Sequence, residues 1–212
     1  MTNSKLAVIT GGNKGLGLEI ARQLARDHNI NVILGARDSE KGKHAEKILQ
    51  SENLNVTYQH LDLLSDESIK SFSSWLKKEK GQFEILINNA GILLERHYGK
   101  NKNIEIDGLD VDIEVIRKIF DTNLFGTLRV IQNLVKNMYD GGRIINLSSR
   151  MGQFEWADTN MLGYRLSKTA LNGLTASLAV RLASRDISVN SLCPGWVLTD
   201  MGSKFAQIKV EE

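Results

Sequence analysis

The stretch that decides the fold of this 212-residue chain is Leu6-Ala-Val-Ile-Thr10 followed by Gly11-Gly-Asn-Lys-Gly15-Leu-Gly17. A short aliphatic run, typical of a buried β-strand, passes directly into glycines with the spacing Gly11-x3-Gly15-x-Gly17. A turn between a first strand and a helix lets glycine backbone approach a pyrophosphate closely, and the free N–H groups of the helix attract the anion. Glycines also serve tight turns that bind nothing, because they adopt positive φ without strain. Their position after the first strand favours a dinucleotide site.

Six short apolar runs alternate along the chain with longer segments of helical period. The runs are residues 6–10, 31–36, 56–61, 84–88, 143–147 and 187–192. Such alternation is typical of a parallel sheet whose strands are joined by crossover helices. Each run is apolar enough to be a central strand that helices cover on both faces. The sequence therefore predicts a single α/β domain.

Apolar residues three or four positions apart mark the helices. In chain order they are Leu16, Ile20 and Leu24; Ile69, Phe72 and Leu76; Ile116, Ile119, Phe120, Leu124, Leu128, Ile131, Leu134, Val135 and Met138; and Leu166, Ala170, Leu174, Leu178 and Leu182. The cap-like pair Ser65-Asp66 precedes the second group. The turn Asp140-Gly141-Gly142 ends the third, which we predict to be one long helix.

The segment 95–112 is polar, charged and rich in turn residues, which predicts a long surface loop. The acidic residues Asp107, Asp110, Asp112 and Glu114 would suit calcium in composition. Their spacing does not match the twelve-residue calcium loop with its central glycine. A solvated acidic loop is the better interpretation, and we predict no metal site.

The charges of the chain are balanced, with 27 Lys and Arg against 25 Asp and Glu and a formal net charge of +2. This balance indicates neither a nucleic-acid partner nor a membrane surface. No stretch approaches about 18 consecutive apolar residues and no signal-peptide core is visible, so we expect no membrane span and no secretory leader. The single cysteine, Cys193, excludes a disulfide framework and indicates a cytoplasmic location.

The end of the second predicted strand bears on the choice of dinucleotide. It reads Gly35-Ala36-Arg37-Asp38, whereas a NAD site usually has an acidic residue there to hold the ribose 2′-hydroxyl. Arg37 and Lys14 are cations that suit the 2′-phosphate of NADP. Asp38 keeps NAD open as the alternative. We expect NADP(H) to be preferred over NAD(H).

Tyr164 and Lys168 are four residues apart in the last predicted helix, so their side chains share one face. An ammonium near a phenol favours the phenolate and lowers a pKa that is otherwise near 10, as proton transfer with a carbonyl oxygen requires. Ser149 follows the run 143–147 at the sheet edge where ligands bind, and it would donate a hydrogen bond to a substrate carbonyl. Asn123, a polar break in the long helix, is either a helix-bending residue or part of a water-mediated relay to Lys168.

Together these motifs resemble the short-chain dehydrogenase/reductase family. The resemblance runs from Leu6 to about Gly202, and its motifs in order are Thr10 to Gly17, Asn88-Asn-Ala-Gly91, Asn123, Ser149 with Tyr164 and Lys168, and Pro194-Gly195. The glycine motif and Cys193-Pro-Gly-Trp-Val-Leu-Thr-Asp-Met201 are most similar to the NADPH-dependent carbonyl reductases. The resemblance implies a Rossmann-like, doubly wound sheet of strand order 3-2-1-4-5-6. It also implies reduction of a ketone, aldehyde or quinone carbonyl, or the reverse alcohol oxidation.

The resemblance assigns a role to each matching residue. Asn123, Ser149, Tyr164 and Lys168 would be catalytic. Ser149 would polarise the carbonyl, Tyr164 would donate the proton, and Lys168 with Asn123 would return a proton to Tyr164 through water. The residues implied to bind NADP(H) are Gly11, Asn13, Lys14, Gly15, Leu16, Gly17, Arg37, Asp62, Leu63, Asn89, Ala90, Gly91, Tyr164, Lys168, Pro194, Gly195, Val197 and Thr199.

The chain departs from the family after Thr199-Asp200. Family members continue through further helices and a seventh strand, whereas this sequence ends at Glu212. We therefore expect a catalytic domain over residues 1–202, a divergent tail over 203–212, no seventh strand, and an uncovered edge at the sixth. An NADP(H)-binding regulatory or catalytically impaired protein is the alternative to an enzyme. A nucleotide-binding methyltransferase would explain neither the Tyr164/Lys168 pair nor Arg37.

The partners we expect are a small carbonyl or alcohol substrate and a second copy of the chain. In the family the two long helices, here residues 112–138 and 164–185, commonly pair across a two-fold axis. A long insertion ahead of the tyrosine goes with monomeric carbonyl reductases, and none separates Ser149 from Tyr164 here. The uncovered sheet edge adds a second reason to associate. We predict a homodimer or larger homo-oligomer.

Overall fold

Strands and helices alternate in the computed structural model, which describes residues 5–98, 103–202 and 205–211. The strands are β1 (Leu6–Thr10), β2 (Asn31–Ala36), β3 (Val56–His60), β4 (Phe83–Asn88), β5 (Arg96–Tyr98), β6 (Asn103–Glu105), β7 (Met138–Leu147) and β8 (Ser188–Leu192). The α-helices are α1 (Gly15–His28), α2 (Ser39–Ser51), α3 (Asp66–Glu79), α4 (Ile113–Phe120), α5 (Thr127–Leu134) and α6 (Leu162–Leu182), and a π-helical segment, Asp121–Gly126, joins α4 to α5.

Six of the strands form one parallel sheet in the spatial order β3-β2-β1-β4-β7-β8. This is the order 3-2-1-4-5-6 when the strands of the main sheet alone are counted, so the predicted doubly wound fold is confirmed. The chain changes direction across the sheet between β1 and β4, and ligands bind at such a switch point. Thr10 is in register with Gly35 and with Asn88, so the carboxyl ends of three strands meet at this edge.

The main sheet buries both faces, because neighbouring residues of a strand point to opposite sides. In β1, Val8 packs in a cluster with Phe72 of α3 and with residues of α5 and α6. Ile9 packs in a second cluster with Leu49 of α2 and with residues of α1. Helices α1 and α2 therefore cover one face, and α3, α5 and α6 cover the other.

The prediction of one long helix that reaches Met138 is wrong in two respects, because the helix is interrupted and because it ends earlier. It is interrupted by the π-helical segment, α5 ends at Leu134, and Met138 begins β7 with a fully buried side chain. The predicted turn 140–142 is a bulge in β7, where Gly141 has φ 76° and the register with β4 shifts. A single buried apolar residue fits a helix and a strand equally well, so periodicity misassigned Met138.

The other strand predictions differ from the structure by single residues. β3 ends at His60 and not at residue 61, β4 begins at Phe83 and not at 84, and β8 begins at Ser188 and not at 187. Ser65 caps α3, as predicted, because its hydroxyl accepts a hydrogen bond from the N–H of Ser68.

The predicted surface loop 95–112 is only partly a loop. β5 and β6 pair as an antiparallel hairpin, and Glu95 is fully buried; residues 99–102 lie outside the described residues. The carboxylates of Asp107 and Asp112 accept backbone N–H groups two residues further on, so they cap a turn and the start of α4. Within the described ranges, no group of three or more His, Cys, Asp or Glu could hold a metal ion.

Of the predicted apolar stripe of α6, only Leu182 is buried. Leu166 is 45% exposed, and Leu174 and Leu178 are only partly buried. The buried positions of α6 are Gly163, Ser167, Lys168, Leu171, Thr175 and Leu182. Small and polar residues on this side let the helix lie close to the sheet edge and bury Lys168 there. No helix in the part of the chain that the structure describes is long and apolar enough to cross a membrane.

Candidate active site

A cleft of about 620 Å³ opens at the carboxyl edge of the main sheet, at the segments that follow β1, β4, β7 and β8. The structure brings thirteen of the predicted site residues to its walls: Lys14, Gly15, Leu16, Asn89, Ala90, Gly91, Ser149, Tyr164, Lys168, Pro194, Gly195, Val197 and Thr199. Seven others do not line it: Gly11, Asn13, Gly17, Arg37, Asp62, Leu63 and Asn123.

The glycine-rich turn needs its glycines for conformation and for space. Gly11 and Gly15 have φ of 66° and 54°, a region that favours glycine. A Cβ at Gly17 would lie 2.4 Å from the carbonyl oxygen of Gly11, so any side chain there would push the turn apart. α1 begins at Gly15 without a side-chain cap and without an acidic residue in its first turn. Its first N–H groups are therefore available to an anion.

Asn89 ties this turn to the end of β4. Its side-chain amide donates to the carbonyl oxygens of Thr10 at 3.0 Å and of Gly11 at 3.1 Å. The backbone N–H groups of Asn89 and Ala90 both donate to the Thr10 hydroxyl at 3.1 Å. These hydrogen bonds from the segment after β4 hold the glycine-rich turn in place.

Charged residues gather where the second strand ends. Arg37 is exposed, and no ion pair joins it to any residue in the described ranges. Asp38 caps α2 by accepting the N–H of Lys41 at 3.0 Å, and it pairs with the Lys41 ammonium at 3.2 Å. The backbone hydrogen bond from Lys41 holds the pKa of Asp38 below its usual value. Lys14 pairs with Asp200 at 2.5 Å across the mouth of the cleft.

Asp62 and Leu63 lie on the segment after β3, outside the cleft walls. The Asp62 carboxylate accepts the N–H of Leu64 at 3.0 Å, and the Leu63 side chain is packed in the core with Phe72 and its neighbours. Their side chains are therefore committed to the local turn and to the core.

Tyr164 lies near Ser149 in the cleft, and the ammonium of Lys168 lies 5.6 Å from the centre of the Tyr164 ring. Burial raises the pKa of Tyr164 to about 12, the nearby Cys193 adds to this rise, and the nearby Ser149 hydroxyl opposes it. The expected lowering of this pKa by Lys168 is not seen. The Lys168 ammonium instead donates to the carbonyl oxygen of Leu147 at 2.7 Å, and burial lowers the pKa of Lys168 to about 8.

Asn123 lies in the π-helical segment and is buried. Its side-chain oxygen accepts the N–H of Ile92 at 2.8 Å, and its amide donates to the Ile92 carbonyl at 3.0 Å and to the Ser167 hydroxyl at 3.1 Å. A π-helical turn is a frequent feature of functional sites. The side-chain amide is thus fully used in holding the segment after Gly91 against α6.

Two residues that sequence reasoning missed are connected to the predicted site residues by specific contacts. Asp200 lines the cleft and holds Lys14, and the buried Glu95 contacts the start of α6. Both contacts join residues that are far apart along the chain, so no local pattern could have revealed them. The only sequence feature that could have indicated them is that they lie near predicted site residues, because Glu95 follows the Asn88 motif and Asp200 follows Thr199.

Comparison with known proteins gives the class of this protein. The family model described as short chain dehydrogenase matches residues 5–209. The chain is 31% identical, over an alignment of 255 positions, to carbonyl reductase [NADPH] 3 of Rattus norvegicus, with 99% of this chain and 87% of the relative covered. It therefore belongs to the short-chain dehydrogenase family, whose members are oxidoreductases.

Two solved structures show how close the likeness is in three dimensions. The carbonyl reductase Sniffer of D. melanogaster superposes with a TM-score of 0.85 at 25% identity, covering 99% of this chain and 88% of that one. An actinorhodin polyketide ketoreductase with NADPH superposes with a TM-score of 0.81 at 29% identity, covering 94% of this chain and 73% of that one.

Proposed function

We propose that this protein is an NADPH-dependent oxidoreductase that reduces a ketone, aldehyde or quinone carbonyl or catalyses the reverse alcohol oxidation. The observation that carries the proposal is the pair Tyr164 and Ser149, whose side chains lie near each other in the cleft beside the glycine-rich turn. Two hydroxyls converging on one point suit a carbonyl oxygen. Relatives named carbonyl reductase [NADPH] support the same reaction.

The glycine-rich turn fits a dinucleotide on structural grounds. The uncapped start of α1 offers N–H groups to a pyrophosphate, and Gly17 has no room for a Cβ that would block the approach. Gly11, Asn13, Lys14, Gly15 and Leu16 would hold the phosphates. Asp62 and Leu63 would meet the adenine through their backbone, because their side chains are already engaged. Asn89, Ala90, Gly91, Pro194, Gly195, Val197 and Thr199 would line the ribose and nicotinamide.

In the proposed mechanism, NADPH, when bound, would supply the hydride for the carbonyl carbon. Ser149 donates a hydrogen bond to the carbonyl oxygen and orients it. Tyr164 gives its proton to the same oxygen, which yields the alcohol. The Tyr164 hydroxyl, with a pKa of about 12, is protonated at neutral pH; burial makes it a weaker acid than a free tyrosine, and the nearby Ser149 opposes this rise. Lys168 then returns a proton to Tyr164 through water, with Asn123 fixing the surrounding backbone.

The charges at the end of β2 support NADP(H) over NAD(H). Asp38, the residue that would hold a ribose 2′-hydroxyl in a NAD site, is occupied with the cap of α2 and with Lys41. Arg37 is exposed beside it and suits a phosphate. We also propose that residues 1–202 form the catalytic unit with 203–212 as its tail, and that the protein is cytoplasmic, where the exposed thiol of Cys193 stays reduced.

A cofactor titration tests the choice of nucleotide. We expect NADPH to bind at least tenfold more tightly than NADH, about 1.4 kcal/mol, because only NADPH carries the 2′-phosphate. Arg37→Asp should shrink or invert that ratio. Lys70→Asp, an equal charge change on the exposed surface of α3, is the control and should leave it unchanged. Equal affinities of the wild-type protein for both cofactors would contradict the proposal.

An activity screen tests the reaction. NADPH oxidation is followed against a panel of ketones, aldehydes and quinones, with NADH run in parallel. Turnover of at least one carbonyl compound supports the enzyme. NADPH binding without any turnover would instead favour the alternative, a regulatory or catalytically impaired protein.

A further inference from the structure

Glu95 is a buried carboxylate at the start of the helix that carries Tyr164. It has no exposed surface, and it follows β4 just ahead of the hairpin. Its Oε1 accepts the backbone N–H of Gly163 at 2.7 Å, and its Oε2 accepts that of Tyr164 at 2.8 Å. Both carboxylate oxygens are therefore bound to the first turn of α6.

These two N–H groups are ones that a helix cannot satisfy by itself. The first N–H groups of a helix lack intrahelical partners, and a side chain at the cap position usually accepts them. The cap position of α6 is Met161, which has a left-handed backbone with φ 56° and makes no side-chain cap. Glu95 supplies the missing acceptors from 68 residues away, and a negative charge there also complements the helix dipole.

We propose that Glu95 is a positioning residue for the proton donor: it fixes the backbone of Tyr164 so that the Tyr164 hydroxyl points at the substrate oxygen. This inference rests on the proposed function, because it assigns Glu95 a part in the same reaction. It goes further in that Glu95 touches neither substrate nor cofactor in the proposed mechanism and acts through Tyr164 alone.

The contacts around Tyr164 show why Glu95 matters for its orientation. The Tyr164 N–H is held by Glu95, and its carbonyl oxygen accepts the Ser167 hydroxyl at 2.7 Å. Ser167 in turn accepts the Asn123 amide. The backbone of Tyr164 is thus held at both ends, by Glu95 on one side and by the Asn123 network on the other.

Gly163 provides the space for this cap. A Cβ at Gly163 would lie 3.2 Å from Oε1 of Glu95 and 3.0 Å from Cγ1 of Ile116. The carboxylate approaches the helix closely because residue 163 carries no side chain. Gly163→Ala is therefore a second way to displace the carboxylate while leaving its charge in place.

The test compares Glu95→Gln with a matched control in the same helix. Glutamine keeps one acceptor but turns an NH2 donor toward the second N–H, so the first turn of α6 shifts. We expect kcat to fall about tenfold or more and NADPH affinity to stay within about threefold, since a displacement of roughly 1 Å can cost far more than tenfold in rate. Thr175→Val removes a buried hydroxyl that bonds Asn146 and Leu171, at a distance from Tyr164 along the helix. Thr175→Val should lower Tm by about as much as Glu95→Gln does, and it should leave kcat unchanged.

Amide hydrogen exchange at Gly163 and Tyr164 gives a readout that does not depend on turnover. Both amides should be protected in the wild-type protein and in Thr175→Val, and exchange faster in Glu95→Gln. Gly163→Ala should repeat the loss of kcat if Glu95→Gln fails to fold. The proposal is overturned if Glu95→Gln or Gly163→Ala keeps the wild-type kcat. It is also overturned if Thr175→Val lowers kcat as much as those two variants do. If the wild-type protein reduces no carbonyl compound, the proposed function and the catalytic part of this inference are both overturned. The exchange measurement would then still show whether Glu95 holds the N–H groups of Gly163 and Tyr164.

Discussion

At the scale of single residues, burial controls the two groups that would move protons. It acts in opposite directions, because water stabilises the charged form of each group and burial removes that water. The neutral phenol of Tyr164 is favoured, with a pKa of about 12, and so is the neutral amine of Lys168, with a pKa of about 8.

Tyr164→Phe should abolish turnover while NADPH affinity stays within severalfold, because the substitution removes the proton donor and little else. Lys168→Ala should reduce both turnover and NADPH affinity, since Lys168 is proposed to serve the ribose as well as proton return. Steady-state rates and fluorescence titration of NADPH measure the two effects. Substantial carbonyl reduction by Tyr164→Phe would show that the proton comes from another group.

The lowered pKa of Lys168 makes stability depend on pH in alkaline solution. Between the folded value of about 8 and the ordinary value of 10.5, the unfolded chain binds more protons, so folding becomes more favourable as pH rises. From pH 7.5 to 9.5 this contribution amounts to roughly 1–2 kcal/mol. Urea unfolding at both pH values should show that gain in the wild-type protein relative to Lys168→Met. Equal pH responses of the two proteins would contradict it.

At the scale of elements, the loop after β8 is held against the glycine-rich turn. Lys14 of the turn pairs with Asp200 of the loop, and a Cβ at Gly15 would lie 3.4 Å from Cγ2 of Thr199. The residues after position 204 strengthen this loop, because the N–H of Leu198 donates to the carbonyl of Ile208 at 2.8 Å. Residues 205–211 of the tail thus pair with this loop, and the two sides of the cleft are connected by a cation proposed to bind phosphate.

Asp200→Asn should strengthen NADPH binding, because it releases Lys14 and removes a negative charge near the proposed phosphate site. Both side chains are mostly exposed, so we expect an effect of roughly two- to fivefold. Binding of NADH, which lacks the 2′-phosphate, should change less. Titration of both cofactors at low and high salt measures this, and weaker NADPH binding by the variant would reject it.

At the scale of the whole molecule, one side of α6 presents apolar surface to solvent. Leu166 and Val180 are 45% and 81% exposed, and a Cβ on Gly173, midway between them, would meet no atom within 4 Å. Residues seven apart lie on one helix face. On the adjacent α4 and π-helical segment, Ile113 and Phe125 are 58% and 45% exposed. A second copy of the chain that packs here would bury this apolar surface. Association at the edge strand β8 is the other way in which two copies could pair.

We therefore expect a homodimer at micromolar concentration, and Val180→Glu should weaken it because a carboxylate would be buried in an apolar contact. Leu109→Glu is the control, since Leu109 is 90% exposed outside this surface. Light scattering across a concentration series measures the mass. A mass near 23.7 kDa for the wild-type protein throughout the series would reject the dimer.

The sequence by itself predicted the sheet, its strand order through the resemblance, and thirteen of the residues that line the cleft. It could do so because strands of this kind are short apolar runs, and because the glycine turn and the Tyr164/Lys168 pair are local patterns whose spacing carries their geometry. Its errors were also local in origin. The periodicity of apolar residues assigned Met138 to a helix, although it begins a strand. The same periodicity gave an apolar stripe for α6 but did not show which side of that helix is buried.

Only the tertiary structure decided the pKa values and the long-range contacts. The expected lowering of the Tyr164 pKa by Lys168 depended on spacing, whereas the actual shift depends on how much water the fold excludes. The cap that Glu95 gives to α6 and the pairing of Lys14 with Asp200 join positions 68 and 186 residues apart. Such contacts have no sequence signature, because folding brings together side chains whose separation along the chain carries no information about their distance in space.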